Sequence, residues 1–257
     1  MSSTTSAEEL RASLERDGFV RIQKAFSTDD ITRFRTAAQH VAERARAGRW
    51  PFVRTVPKQF PPWPVSEATT EGIWGVQHLL HPSMPDEDRI AFAESYFGDV
   101  MTGAVTALLD CKTSDLVMEL YNMLVCPPKD FELRWHRDDI GPDVPPDVEL
   151  ERLQEPMLHT QWNLALYPDS SLVVVPGSHA RARSGEERKA DPFEGSMPGQ
   201  GADPSRSRNI LQHGIGDWAG DCDFSDLPGN MAKLATEMQQ RLIGMGSGKD
   251  VGFSQRD

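Results

Sequence analysis

The sequence has few cysteines and no long apolar run. Cys111, Cys126 and Cys222 are its three cysteines among 257 residues, and none forms a CxxC pair. This usage indicates reduced thiols in an intracellular protein and argues against a zinc site built on cysteines. No stretch approaches the roughly 18 apolar residues of a membrane span. The first residues lack the basic and apolar parts of a signal peptide, so we expect a cytoplasmic protein.

Positive charge is also scarce. Lys and Arg total 27 against 39 Asp and Glu, which gives a formal net charge of −12 and a pI near 5.0. Such a field repels a phosphate backbone and argues against a general nucleic-acid-binding protein. The hydrophobic share is 38% and the mean hydropathy is −0.49, which suffices for a packed core at this length. We expect one soluble, acidic domain over residues 1–257, with no nucleic-acid or membrane partner.

Helical patterns dominate residues 1–115 and return near the C-terminus. Two helices are marked by N-terminal caps, and all of them carry apolar residues at helical spacing. The last has a methionine-rich apolar face that is typical of core packing. The predicted helices run from Ser6 to Gly18, from Ser27 to about Gly48, from Asp86 to Leu109 and from about Asn230 to Met245.

Residues 116–176 carry strand patterns instead. Strands that follow helices without regular βαβ alternation predict an α+β or β-sandwich body. Residues 177–257 combine an irregular loop with the last helix. The charged part of that loop, with Arg181, Arg183, Arg188 and Lys189, is predicted to be solvated. The predicted strands cover residues 19–23, 116–125, 131–135, 158–167 and 171–175.

The most informative residues are His136 and Asp138. In a strand, residues two apart point to the same face, so this imidazole and this carboxylate can converge on one point. The pair supplies two parts of the facial triad that holds ferrous iron and leaves coordination positions open. An HxD pattern is common by chance, and the alternative is a surface histidine beside a charged turn.

Three blocks of sequence resemble the phytanoyl-CoA dioxygenase family of Fe(II)/2-oxoglutarate oxygenases, most closely a fungal-type branch. They occur in the family's order within residues 135–179, and Asp17-Gly18-Phe19-Val20 resembles the family's opening. The blocks are Trp135-His136-Arg137-Asp138-Asp139-Ile140, Gln161-Trp162-Asn163-Leu164-Ala165-Leu166-Tyr167 and Pro176-Gly177-Ser178-His179.

The resemblance implies a mainly β, α+β fold. It is a double-stranded β-helix (a cupin-like jelly roll) with N-terminal helical support and a C-terminal helix. The resemblance also implies that an HxD motif and a distal histidine hold Fe(II). The cosubstrate 2-oxoglutarate chelates the metal, and a basic residue meets its far carboxylate. With O₂, a small organic substrate is hydroxylated or desaturated, and succinate and CO₂ are released.

The family's site residues can be placed on this chain. The resemblance makes His136 and Asp138 the first two metal ligands. It places Gln161 and Asn163 on the cosubstrate side, while ordinary strand-ladder positions remain the alternative for both. His179 is expected to be a structural, hydrogen-bonding histidine. His78, His81 and His159 are weaker ligand candidates and are expected to be core or surface residues.

The chain departs from the family where the distal histidine is expected. Between Gln200 and Asn209 no strand-like run carries a histidine and a downstream arginine. The simplest account is that a block of a few tens of residues is absent, which predicts an incomplete jelly roll. The alternative is that His213 supplies the third ligand and that Arg206 or Arg208 meets the cosubstrate carboxylate.

Three functions therefore compete. The first is an Fe(II)/2-oxoglutarate-dependent dioxygenase acting on a small organic molecule. The second is a catalytically inactive relative that serves as a partner or regulatory subunit. The third is a metal-free β-sandwich binding module in which the HxD pattern is a coincidence. The three matching blocks favour the first two.

Overall fold

The computed structural model describes residues 6–59, 72–130, 132–138, 140–169, 172–191 and 217–245. They divide into two compact units, which we call the loop-rich unit and the sheet unit. The loop-rich unit takes the described residues of Met1–Ala25, Gly103–Cys111 and Glu132–Ile210. The sheet unit takes those of Phe26–Thr102, Lys112–Phe131 and Leu211–Asp257.

Helix α1 (Ala7–Asp17) lies in the loop-rich unit and has the ends that its sequence predicts. Ser6 Oγ accepts a hydrogen bond from Glu9 N at 3.2 Å, and Glu9 Oε2 accepts one from Ser6 N at 2.7 Å. This reciprocal pair is a capping box. Gly18 ends the helix in the left-handed conformation, with φ at 83°, and its N–H donates to the Leu14 carbonyl. The prediction for this helix is confirmed.

Helix α2 (Thr28–Arg46) lies in the sheet unit and is capped by Ser27, whose Oγ accepts from Asp30 N at 3.1 Å. Its buried face includes Phe34 and Val41, which are 3% and 0% exposed. This face packs against α3 (Asp86–Phe97). The helix is therefore amphipathic as predicted, and it ends close to the predicted stop.

The helix predicted from Asp86 to Leu109 is instead two helices, α3 and α4 (Asp99–Leu109). Gly98 separates them in an extended conformation, with φ at −67° and ψ at 156°. A Cβ at this position would lie 2.6 Å from the Glu94 carbonyl oxygen in the last turn of α3, so the extended junction leaves little room for a side chain. The prediction of one continuous helix is wrong, because apolar spacing does not register this break.

The sheet unit contains one antiparallel sheet in the order β1 (Val53–Thr55), β2 (Ile73–Val76), β3 (Met123–Leu124). Every residue of β1 and β2 is buried. Arg54 is 1% exposed, and its guanidinium lies 5.4 Å from the Trp74 ring in a cation–π contact. The sheet thus forms part of the core of this unit.

The C-terminal helix α6 (Met231–Gly244) completes the sheet unit and packs against α3. Met238 and Leu242 are 4% and 1% exposed, whereas Met245, at the end of the same face, is 61% exposed. The prediction that the methionine-rich face packs into the core is therefore confirmed for its central residues.

The loop-rich unit contains a second complete helix, α5 (Pro146–Leu153), but its described residues do not form the strands predicted for it. A strand requires a neighbour with which it forms a hydrogen-bonded ladder, and the sheet formed by the described residues includes none of these segments. The sheet of the described residues has three strands and does not close, so an incomplete jelly roll stays a prediction. The segments without strands are 19–23, 132–135, 158–167 and 172–175, and only β3 forms within 116–125.

Candidate metal centre

His136 and Asp138 meet in the loop-rich unit, in the segment that precedes α5. His136 Nε2 lies 3.2 Å from Asp138 Oδ1, and the two side chains are 16% and 19% exposed. The imidazole and the carboxylate therefore converge on one point, as their spacing predicts, although the segment is not a strand. This largely buried pair is the candidate metal centre.

A backbone carbonyl fixes the imidazole of His136. Its Nδ1 lies 2.7 Å from the carbonyl oxygen of Arg134. Because a carbonyl only accepts hydrogen bonds, Nδ1 carries the hydrogen, and Nε2 is the atom directed at Asp138. Metal-ligating histidines are oriented in this way by a hydrogen bond from the other ring nitrogen. The ring thus presents to the carboxylate the nitrogen that a metal would use.

The separation of the two atoms fits two chemical states. In the first, a protonated imidazole donates to the carboxylate as an ion pair. In the second, both atoms are ligands of one cation. Two adjacent ligands at about 2.1 Å from a metal, at a right angle, lie about 3.0 Å apart. The observed 3.2 Å is close to that value, so the pair needs little rearrangement to bind a metal.

Arg137, which lies between the two candidate ligands, is held by a separate set of groups. Its Nη2 donates to the carbonyl oxygens of Ser178 and Arg181 at 2.9 and 3.0 Å. Its Nε lies 2.9 Å from Glu149 Oε1 on α5. The guanidinium therefore ties the middle residue of the HxD segment to α5 and to the turn that follows Gly177.

Glu149 is the centre of an arginine cluster. The side chain is 0% exposed and forms ion pairs with Arg137, Arg183 and Arg188. The Arg183 backbone N–H also donates to Glu149 Oε2 at 3.0 Å. Arg183 in turn donates to the carbonyl oxygens of Ile140 and Gly141, both at 2.9 Å. One buried carboxylate thus connects the HxD segment with the chain on both sides of α5.

The cluster carries three guanidinium groups and a single carboxylate. Burial lowers the pKa of Arg183, and the neighbouring charges of Arg137 and Arg188 act in the same direction. Hydrogen bonds from the guanidinium groups to backbone carbonyls compensate for the excess positive charge. The loss of Glu149 would leave these cations without their shared counter-ion.

The charged segment after Gly177 is folded, not the solvated loop that its composition predicts. Arg181 forms two hydrogen bonds with Glu187, at 2.6 and 2.8 Å, and Ser184 N donates to the same carboxylate at 2.6 Å. The hydrogen bonds from Arg181 lower the pKa of Glu187 to about 2. Arg183 and Arg188 point to Glu149. The prediction of a solvated loop is wrong because these arginines have specific carboxylate and carbonyl partners, which composition does not show.

The Pro-Gly-Ser-His turn packs against the end of α1. Gly177 N donates to the Asp17 carbonyl at 2.9 Å, and His179 Nε2 lies 3.1 Å from the Glu15 carbonyl. A Cβ on Gly18 would lie 2.4 Å from His179 Nδ1, so the ring occupies the space that glycine leaves. The hydrogen bond predicted for His179 is therefore confirmed.

The remaining predicted site residues are Gln161, Asn163, His213 and Arg208. Gln161 and Asn163 are exposed and lie in an irregular segment. His213 and Arg208, as well as Arg206, lie outside the described residues. Their predicted roles as third ligand and cosubstrate-binding residues therefore stay predictions.

A different group of donors, His40, Glu87 and Asp88, is the one three-donor cluster within the described parts of the chain. His40 Nδ1 lies 3.0 Å from Asp88 Oδ1, and this hydrogen bond joins α2 to α3. It raises the pKa of His40, and the negative charge of Asp88 adds to the effect. No local sequence pattern predicts this contact, because the two residues belong to separate helices.

The weaker histidine candidates have the environments expected of core and surface residues. The rings of His78 and His81 lie 5.2 and 5.0 Å from Trp218 in an aromatic cluster. Burial lowers the pKa of His81, whose Nδ1 accepts a hydrogen bond from Ser83 N at 3.0 Å. His159 is exposed.

Comparisons with known proteins add no assignment. No protein-family model, curated protein or solved structure matches the chain. Among the described residues, no helix has the length and apolar character to span a membrane. The function is therefore argued from the geometry at His136 and Asp138, together with the resemblance of the sequence blocks around them.

Proposed function

We propose that the protein is a non-haem Fe(II)/2-oxoglutarate-dependent dioxygenase of the phytanoyl-CoA dioxygenase type. It oxidises a small organic substrate by hydroxylation or desaturation, with release of succinate and CO₂. The observation that supports this proposal is the 3.2 Å approach of His136 Nε2 to Asp138 Oδ1, with the ring fixed by Arg134. The family, the cosubstrate and O₂ rest on the sequence resemblance.

The imidazole of His136 and the carboxylate of Asp138 are ligand types that bind ferrous iron. One imidazole and one carboxylate are two of the three protein ligands in a 2-His-1-carboxylate site. When bound, Fe(II) with 2-oxoglutarate supplies the O₂ chemistry that oxidises the substrate. The chain itself orients the ligands: the Arg134 carbonyl sets the His136 ring, and Arg137 fixes the backbone between the two ligands.

The third ligand is proposed to be His213, with Arg208 at the cosubstrate carboxylate. Within the described residues, no third His, Cys, Asp or Glu joins His136 and Asp138 in a cluster. A contribution from outside these residues is thus required for a complete site. Gln161 and Asn163 are exposed on the same unit and remain the proposed cosubstrate-side residues.

A catalytically inactive relative, acting as a partner or regulatory subunit, is the second candidate. Two observations favour it: the two-donor cluster, and the absence of strand ladders in the described parts of 132–138 and 158–175. Replacing a group that only orients a metal ligand typically weakens metal binding about 10–100-fold, and loss of a ligand weakens it at least as much. Two donors alone would therefore bind iron poorly.

The test is an anaerobic titration of the purified protein with Fe(II) and 2-oxoglutarate, followed through the visible metal-to-ligand charge-transfer band. We expect the band in the wild type and in the His159→Ala control, which removes an exposed histidine of the same unit. It should be lost in His136→Ala and Asp138→Ala. His213→Ala tests the third ligand. A wild type that is folded by circular dichroism but gives no band would favour the inactive relative.

A further inference from the structure

We infer that Glu149 is a positioning residue for His136 and Asp138, and that it acts through Arg137. The inference deepens the proposed function, since it concerns the two ligands of the proposed metal site. The inference also applies to the arrangement of His136 and Asp138 in the metal-free protein, which can be measured directly.

The first step is the place of Glu149 in the loop-rich unit. Its carboxylate is 0% exposed, so its contacts are to protein groups and not to bulk water. Oε1 lies 2.9 Å from Arg137 Nε and 3.1 Å from Arg183 Nη1, and Oε2 accepts from Arg183 N at 3.0 Å. Oε2 is thus fixed by hydrogen bonds from Arg183 N and Arg188 Nη2, while Oε1 faces Arg137 as the buried partner of an ion pair.

The second step is the position of Arg137 in the chain. It is bonded through the backbone to both candidate ligands, and consecutive Cα atoms are held about 3.8 Å apart. A displacement of Arg137 therefore moves His136 and Asp138 together. The guanidinium is held at three points, by Glu149 and by the carbonyl oxygens of Ser178 and Arg181. Glu149 supplies the only negative charge among these three.

The third step is what the removal of that charge does. In Glu149→Gln, the guanidinium groups of Arg137, Arg183 and Arg188 would surround a neutral amide. Their mutual repulsion is no longer offset, and each would move toward solvent. Arg183 and Arg188 donate hydrogen bonds to the backbone carbonyls of residues 140, 141, 144 and 183, which lie outside the HxD pair. Arg137 is the member whose movement reaches the ligands directly.

The experiment uses two readouts on the full chain. The first is the imidazole NMR signal of His136 in the metal-free protein, assigned by its loss in His136→Ala. The second is the affinity for Mn(II), measured by electron paramagnetic resonance of the free ion. We expect Glu149→Gln to shift the imidazole signal and to weaken Mn(II) binding about 10–100-fold, the range typical when a group that orients a metal ligand is replaced.

Matched variants separate positioning from a general loss of structure. Arg188→Met removes another ion pair of Glu149 without removing its contact with Arg137, and it should weaken Mn(II) binding much less than the 10–100-fold expected of Glu149→Gln. Arg137→Lys keeps the charge but loses the forked contacts, and it should reproduce the loss. In an Arg137→Lys background, Glu149→Gln should add little, since the two changes act through one path. Should Glu149→Gln fail to fold, Arg137→Lys carries the test.

The outcomes distinguish this inference from the proposed function. An unchanged imidazole signal and unchanged Mn(II) affinity in folded Glu149→Gln or Arg137→Lys would overturn it. Equal losses in Arg188→Met and Arg137→Lys would overturn it too, because the cluster would then act only on overall stability. If the wild type binds no Mn(II) but the imidazole signal shifts selectively, the proposed metal site fails while the positioning role stands.

Discussion

The sheet unit and the loop-rich unit are each stabilised internally by a different kind of interaction. The sheet unit has an extensive apolar core, to which α2, α3, the sheet and α6 all contribute. The loop-rich unit has three buried apolar side chains among its described residues, Leu10, Leu133 and Ile140. In that unit, partly buried arginines bonded to carboxylates and backbone carbonyls take the place of apolar packing.

The difference determines how each unit responds to mutation. Apolar packing is spread over many contacts, so one truncation removes a share of the stability and leaves the rest. The arginine cluster concentrates its interactions on one carboxylate, so a single substitution reaches three chain segments. The candidate metal centre lies in the unit that depends on few contacts, and its geometry is correspondingly sensitive.

The largest expected effect is that of Glu149→Ala on the loop-rich unit. Removal of one partner of a buried ion pair costs about 3–5 kcal/mol, because the remaining charges stay buried without compensation. We expect this loss in the opening free energies of amides near 140–144 and 181–188, measured by hydrogen exchange. Glu237→Ala is the control, since it removes a more exposed partner in a 3.8 Å pair with Lys233. If Glu149→Ala lowered the opening free energies as little as Glu237→Ala, the stability of the loop-rich unit would not depend on Glu149.

The next effect is that of Leu242→Ala on the sheet unit. Leu242 is 1% exposed, and truncation of a buried leucine costs about 2–5 kcal/mol through lost transfer energy and a cavity. We expect the loss in the amides of α6 and its neighbours in the sheet unit, with those near 181–188 unaffected. Ile243→Ala, next to it at a position 44% exposed, should cost less than about 1 kcal/mol. Loss of protection near 181–188 as well would show that the two kinds of stabilisation are not separate.

The same difference explains what could be predicted from the sequence. Helix ends in α1 and α2 follow from local signals, a serine at the cap and a glycine or charged turn at the end, and both agree with the structure. His136 also approaches Asp138 as expected for residues two apart, although not through the strand geometry on which the expectation rested. These features need no information about distant parts of the chain.

Other features depend on distant partners, and there the predictions fail or stay open. The alternation over 158–167 predicts a strand, but a strand forms only where a neighbour is in register. Glu149 follows Asp147 and precedes Glu151, a pattern typical of an exposed helix face, yet it is fully buried. Its burial depends on arginines more than 30 residues later along the chain, at 183 and 188.

The smallest expected effect concerns the pH dependence of the sheet unit. The hydrogen bond with Asp88 raises the pKa of His40, and the charges of Asp88, Glu87 and Glu43 act in the same direction. A pKa above the unfolded value of about 6.5 means that the contribution to stability is fully present below about pH 6.5. It is lost as the pH rises through the folded pKa. We therefore expect His40→Gln to destabilise most in acid and least in base.

Unfolding by denaturant across this pH range measures the difference between the wild type and His40→Gln. Arg33→Gln is the matched control, because the ion pair of Arg33 with Glu94 also joins α2 to α3 but contains no imidazole. Its effect should stay constant while that of His40→Gln declines with rising pH. A penalty for His40→Gln that grows toward high pH would mean that the neutral ring carries the contact. The His40–Asp88 pair would then stabilise the helices by packing instead of charge.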